Sequence, residues 1–427
     1  MKKLLIVVAI LAIFFIGAPL IIGSSAEKHV RGMYEQMNQH PAVEVSVAEY
    51  QSGWFTSKAK INLVVSSANS APIPPITIHQ TLFHGPLLWE VGGLGFGISD
   101  STFNLELPEE AQKELDELKI FEEDTFKAQL RIFFNGSMKS TFAMKAFNFK
   151  EKDVDISVNA AEFNGSASSD GEVESSGYWN GMVVKEKDQT VFNMGTMQLT
   201  GKQKIPNGEV FSPYAMGDGD FEITVDSFEI QPQNPMESVT VETLKITANS
   251  KLNGELMNGG AVFSAKTVKA IQQTFTDFVY DISLENLHVE TMKLMNEQMS
   301  SPAAQANPMA AMAQVQGLLP KLVEHNPILK VNNIGVNTEK GEIKTAMEVR
   351  LNQDLYDVNN PMTMMLALNA IANGEGPEEF FTNLGMGGQI EQMVQQNFLV
   401  RSAGKIKFDF SFQQGQALLN GNPIPLM

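Results

Sequence analysis

Phe126-Lys127-Ala128-Gln129-Leu130-Arg131-Ile132-Phe133-Phe134, closed by Asn135-Gly136, places an apolar side chain at every second position. Phe126, Ala128, Leu130, Ile132 and Phe134 therefore share one face of an extended strand, and Lys127, Gln129 and Arg131 fall on the other. The same two-residue period recurs at Val154, Ile156 and Val158, and at Phe221, Ile223 and Val225. It returns at Phe278, Tyr280, Ile282 and Leu284, and near the C-terminus at Ile406, Phe408, Phe410 and Phe412. Asn-Gly pairs punctuate the runs at 135–136, 164–165, 180–181, 207–208, 253–254 and 420–421. Such pairs adopt positive φ readily and close hairpins. No strand–helix–strand rhythm is present, so the spacing predicts a long antiparallel meander over about 126–290 rather than a parallel sheet.

Outward from that core, Val43–Val47 alternates and Tyr50-Gln51-Ser52-Gly53-Trp54-Phe55 reads as a turn into a strand at Lys58–Val65. Pro72, Pro74 and Pro75 interrupt the pattern, because proline removes a ladder donor. Ile76–Phe83 resumes as a strand, and Pro108–Leu118 reads as a short acidic helix. Beyond the meander, Asn286–Glu324 is Met-, Gln- and Ala-rich and helical, broken by Pro302, Pro308 and Pro320. Leu329–Val336 and Ile343–Leu351 flank a hairpin turn at Glu339-Lys340-Gly341, and Pro377–Gln396 reads as a second helical piece. The expected class is α+β, β-dominated: a membrane anchor at 1–26 and a β-rich region at 27–290 whose sheet can curve into a groove. A helical insert at 291–327 and a C-terminal α+β region with hairpins at 328–427 complete it.

Met1-Lys2-Lys3 precedes twenty uncharged residues, Leu4–Gly23. At 1.5 Å per residue that run matches the ~30 Å hydrocarbon core of a bilayer. The two lysines place its start in the cytoplasm and send the body outward. Ser24-Ser25-Ala26 offers the small residues of a signal-peptidase site, but the run exceeds a signal core, so it is read as a retained anchor. Lys and Arg number 31 against 49 Asp and Glu, a net charge of −18. A body that acidic repels phosphate backbones, which argues against nucleic-acid binding. There is no cysteine, which excludes disulfides, thiol chemistry and thiolate metal sites.

The six histidines, His29, His40, His79, His84, His288 and His325, form no metal-ligand spacing. His84-Gly85-Pro86 is a sharp turn after a strand. Gly92-Gly93-Leu94-Gly95-Phe96-Gly97 lacks the strand and helix that a phosphate loop needs, and reads as a loop. Asp218-Gly219-Asp220 lacks the twelve-residue spacing of a calcium loop and reads as a hairpin turn. Met292, Met295, Met299, Met309 and Met312 are either packing against the sheet or a soft apolar surface for a partner. No catalytic residue, cofactor or metal site is assigned.

Four features together resemble the YdgA-like bacterial family, a domain of unknown function: the short apolar anchor, Tyr50-Gln51-Ser52-Gly53-Trp54-Phe55-Thr56-Ser57, His84-Gly85-Pro86-Leu87, and Gly415–Leu426. The resemblance implies an inner-membrane protein of Gram-negative bacteria, single-pass, with its body in the periplasm. It brings no catalytic residues. The positions it singles out as a candidate patch are Tyr50, Gly53, Phe55, Ser57, His84, Gly85 and Pro86. The expected function is a non-enzymatic structural or interaction module of the cell envelope whose partner is an envelope protein or a lipid. A lipid-binding or lipid-transfer protein of the AsmA-like type, using a curved sheet, is the second reading. An enzyme with an unrecognised site is the third.

Overall fold

The computed structural model describes residues 34–35, 43–53, 55–65, 75–85, 87–109, 112–113, 124–206, 210, 215–232, 237–270, 273–300, 304, 307–357 and 360–424. The anchor expected at 4–23, most of the stalk and most of the helix expected at 108–118 lie outside these residues. Among the described residues, no helix is long and apolar enough to cross a membrane. The chain is β-dominated, antiparallel and poor in helix. It divides into two compact units, Met1–Phe221 with Asn296–Ala313, and Glu222–Met295 with Gln314–Met427.

In the first unit, β1 (Val43–Gln51), β2 (Thr56–Val65) and β3 (Ile76–His84) form a meander. A short hairpin of β4 (Leu87–Leu88) and β5 (Gly95–Phe96) follows. The ladder then continues through β6 (Ser99–Glu106), β7 (Phe126–Ile132) and β8 (Met138–Met144). Phe126, Ala128, Leu130 and Ile132 point inward as expected. Phe134 does not: the strand ends at Ile132, and Phe134 stands 63 % exposed in the Asn135-Gly136 turn.

β8 and the next seven strands make four long ribbons, each broken at one place. They are β8 with β9 (Phe147–Glu151), β10 (Val154–Val158) with β11 (Ala161–Ala167), β12 (Glu172–Trp179) with β13 (Met182–Glu186), and β14 (Gln189–Met194) with β15 (Met197–Lys204). The breaks lie side by side: Lys145-Ala146, Asn159-Ala160, Asn180-Gly181 and Gly195-Thr196. Pairing keeps one register across them, since Met144 faces Ala161 before the break and Phe147 faces Val158 after it. The ladder is carried across the line by Asn159 N–H to Gly181 O and Asn180 N–H to Ala160 O, both 3.0 Å. Each ribbon holds two residues at the line, so the inward parity changes from even to odd or back. The inner side chain remains inner on both sides, although a one-residue slip normally moves a strand's apolar set to the opposite face. Phe147, Phe149, Ile156 and Val158 thus join Phe142, Met144, Ile61, Leu82 and Leu130 in one buried cluster. From β1 to β11 the inner face is filled by the unit's own side chains, whereas Val173, Trp179, Met182 and Val184 on β12 and β13 are only partly buried.

Three turn expectations fail here. Asn180-Gly181 closes no hairpin but joins β12 to β13 in one ribbon, β12 pairing with β11 and β15 and β13 with β10 and β14. Asn164-Gly165 lies inside β11, paired on both edges. Asp218-Gly219-Asp220 opens strand β16 (Asp218–Ile230) instead of forming a hairpin.

The second unit runs β17 (Val239–Asn253), β18 (Leu256–Ala270), β19 (Gln273–His288), β20 (Ile328–Thr338), β21 (Gly341–Leu351) and β22 (Leu368–Pro377), each paired with the next. After β23 (Val400–Ser402), strand β24 (Lys405–Gln413) pairs with β22, and β25 (Gln416–Leu419) and β26 (Asn422–Ile424) follow. The helices Val289–Ser300, Pro308–Gln316 and Leu319–Val323 interrupt the strands between β19 and β20. Cross-strand rows such as Ile246–Phe263–Tyr280–Ile334 put apolar side chains on one face. Unlike the buried cluster of β1 to β11 in the first unit, most members of these rows are half-buried, and Ile334 is 41 % exposed.

Glu375 on β22 gathers Lys405 at 2.7 Å, Lys407 at 3.0 Å and Lys344 at 3.4 Å. Hydrogen bonds from Lys405 and then Lys407 lower its pKa from 4.5 to about 2. A carboxylate with a depressed folded-state pKa stabilises the fold above its unfolded value and loses that contribution as pH falls through the folded one. Glu375→Gln is therefore expected to lower the melting temperature above pH 4.5, with the difference closing toward pH 2. Paired melts of the two proteins across that window check it.

Candidate functional site

The candidate patch collects at one end of the first unit, where β1 turns into β2 and β3 ends. Tyr50 does not belong to its surface, because it packs against the buried cluster. Gly53 N–H donates to Ser57 Oγ at 3.3 Å, and Ser57 Oγ lies 2.8 Å from His84 Nε2. His84 N–H donates to Phe55 O at 2.8 Å, and Gly85 N–H to Ile98 O at 2.8 Å. The close approach at Gly85 admits no side chain, since a Cβ there would lie 1.8 Å from Gly97 O. Pro86 is outside the described residues. Gly53, Phe55, Ser57, His84 and Gly85 are thus brought together.

A Ser–His contact of this length invites a nucleophile reading. Ser57 is 2 % exposed, however, and its Oγ is already engaged by a backbone amide and the imidazole. A substrate carbonyl has no approach to it. The pair instead clamps the β1–β2 turn to the end of β3. Ser99, across the ladder from His84, is fully buried, and its hydroxyl has no hydrogen-bond partner among the described residues.

The larger feature at this end was hidden in the sequence. Arg131 falls on the face that the alternation assigns to water, yet it is 6 % exposed and Asp100 is wholly buried. Arg131 Nε donates to Asp100 Oδ1 at 2.8 Å and Nη2 to Asp100 Oδ2 at 2.9 Å, a two-pronged pair. Asp100 Oδ2 also accepts Glu90 N–H at 3.0 Å and Val91 N–H at 3.1 Å. Arg131 Nη2 further reaches Gly93 O at 2.8 Å, and Gln129 Nε2 reaches Glu90 O at 2.8 Å. The Asp100 hydrogen bonds raise the Arg131 pKa above its ordinary value, outweighing the opposing effect of burial. The glycine-rich segment is therefore folded back over the outer face of β6 and β7. Gly92 and Gly93 take φ of 64° and 84° to make the bend, and Arg131 occupies the space a Cβ on Gly95 would need.

Leu88 and Val91 anchor the loop inward, being 2 % and 6 % exposed. The rest face out: Trp89 is 63 % exposed, Leu94 74 % and Phe96 67 %. Phe55, at 78 %, and Phe134 project from the two adjoining turns. Ile98 N–H donates to Ile132 O at 2.8 Å, which ties the loop to the strand end before Phe134. The result is a braced, apolar end rather than a cleft.

Elsewhere the described residues offer little chemistry. No group of three or more His, Asp or Glu is placed to hold a metal ion among them. An open polar groove of about 560 Å³ in the second unit is lined in part by Asn286, Asn326, Asn352 and Asn369. Two of these amides are committed to the backbone: Asn326 Oδ1 accepts Gln353 N–H at 2.9 Å from 27 residues away, and Asn352 Oδ1 accepts Asp354 N–H at 3.0 Å in a local turn. On the Met-rich helices, Met309 and Met312 are 84 % and 55 % exposed, which favours a surface over core packing for those two.

Set against known proteins, the chain matches, over residues 1–427, a family described as a bacterial protein of unknown function (DUF945). No curated protein and no solved structure matches it.

Proposed function

The chain belongs to that bacterial family, and from this premise we propose that it is a non-enzymatic, membrane-anchored module of the cell envelope, YdgA-like, that works by docking. The observation that carries the reading is the braced end of the first unit. A buried, doubly hydrogen-bonded ion pair holds a loop whose Trp, Leu and Phe side chains face outward. Large apolar groups exposed together on a rigid support mark contact surfaces. The uncharged run Leu4–Gly23 after Lys2-Lys3 supports an inner-membrane address with the body in the periplasm.

A photo-crosslinking residue at Leu94 in living cells tests the docking reading, with one at Lys187, in the β13–β14 turn, as control. Capture of protein or lipid at Leu94 and not at Lys187 is expected. Equal silence at both positions refutes docking through this end.

One observation favours a second reading, in which a lipid chain is shielded. The apolar rows of the second unit, such as Ala261–Ile282–Val331–Met347–Ala372–Phe410, run across six strands, and all members of this row but the buried Val331 are only partly covered. The buried cluster of the first unit, from β1 to β11, does not share this property. Lipids recovered with the gently purified full chain by native mass spectrometry would favour this reading, and their absence would count against it.

A further inference from the structure

We propose that the partner of the braced end is the interfacial zone of a phospholipid bilayer with electrically neutral headgroups, into which Phe55, Trp89, Leu94, Phe96 and Phe134 insert. The proposal rests on the docking reading and names its target.

Three observations select a bilayer. The first is charge. Between His84 and Ser99 the only side chain carrying formal charge is that of Glu90, and Phe133–Ser137 contains none. A protein-binding patch of this size ordinarily has a polar and charged rim that fixes register, and these segments lack one. The acidic whole, at −18, would be repelled by an anionic surface, so the headgroups that suit it are neutral ones.

The second is composition and exposure. Trp89 at 63 % and Phe96 at 67 % expose large rings beside Leu94 at 74 %. Tryptophan concentrates where an apolar ring meets a wet amide or headgroup, and aromatic belts at membrane interfaces have this character.

The third is form. These side chains stand on the tips of three turns, Phe55 before β2, Trp89 to Phe96 in the β4–β5 hairpin, and Phe134 after β7. Protruding tips ask their partner for depth rather than a matching contour, and a fluid interface supplies that. The brace keeps them out: Asp100 and Arg131 fix the backbone of Glu90, Val91 and Gly93, while Leu88 and Val91 absorb the loop's inward apolar demand.

The test uses the full chain and the Trp89 contribution to fluorescence, taken as the difference between the natural protein and Trp89→Phe. In one arrangement the protein is reconstituted in phosphatidylcholine vesicles whose acyl chains carry bromine near the headgroup end. In the other it sits in nanodiscs of unbrominated phosphatidylcholine, and brominated vesicles are added. The Trp89 component is expected to be blue-shifted and strongly quenched in at least one arrangement. Leu94→Asp with Phe96→Asp should abolish the quenching, and because both sites are exposed, circular dichroism should be unchanged. An unquenched, red-emitting Trp89 component in both arrangements overturns the proposal. If the Leu94 crosslinker then captures a protein, the docking reading survives with a different partner. If it captures nothing, that reading falls as well.

Discussion

Asp100→Asn is expected to lower the stability of the first unit by about 3–5 kcal/mol, the cost of leaving a buried guanidinium without its counter-charge. Asp100 is wholly buried and accepts four hydrogen bonds, two from Arg131 and two from backbone amides of the loop. An asparagine can accept at only one of its two terminal atoms, so its amino group would face donors. Chemical denaturation should show an earlier transition, and hydrogen exchange at Glu90 and Val91 should accelerate by more than that at the distant β10–β13 ladder. The companion variant, Asp100→Asn with Arg131→Met, removes both charges. It is expected to recover much of the loss, because an uncompensated buried charge costs more than a missing pair. Recovery of stability without recovery of bilayer or partner binding would separate the brace's role in presentation from its role in folding.

The second large effect concerns the core. Phe142→Ala is expected to cost about 3–5 kcal/mol, the range for removing a buried aromatic ring and leaving a cavity. Its ring is 2 % exposed and stacks on Phe163 with centroids 6.4 Å apart. Phe134→Ala, only a turn away, is expected to stay within about 0.5 kcal/mol, as surface changes do. Thermal melts of the two variants side by side check the contrast. Two phenylalanines of neighbouring segments thus divide sharply, one toward fold and one toward contact.

That division shows what the chain's own letters disclose. The alternation at Phe126–Ile132, Val154–Val158, Phe278–Leu284 and Ile406–Phe412 is enough to place the strands, because burying one face demands a period of two. The same rule misplaces Phe134, since Asn135-Gly136 ends the ladder before it. Asn164-Gly165 reads as a turn until strands on both sides claim its backbone. Arg131 reads as solvent-facing by parity, and it is buried because the glycine-rich loop before β6, whose Gly93 O it reaches across 38 residues of chain, folds over it. No local signal encodes that cover; its trace is the glycines, Gly92 and Gly93 for the positive-φ bend and Gly95 and Gly97 for the close approach to Arg131 and Ile132. The clamp of Ser57 and His84 is half visible: the two motifs mark the residues, but their contact depends on the register of β2 against β3.

The aligned breaks across the four ribbons at 145–146, 159–160, 180–181 and 195–196 also constrain how this part of the chain can change length. Deleting a single residue from one ribbon at that line would invert everything outboard of it, exchanging the dry and wet sides of half a strand while its neighbours stayed put. Removing or adding a complete up-and-down pair would leave every remaining ribbon in phase. Growth and trimming of this unit are therefore quantised in hairpins, and a library of such paired deletions should contain folded members where single-residue deletions at the line do not.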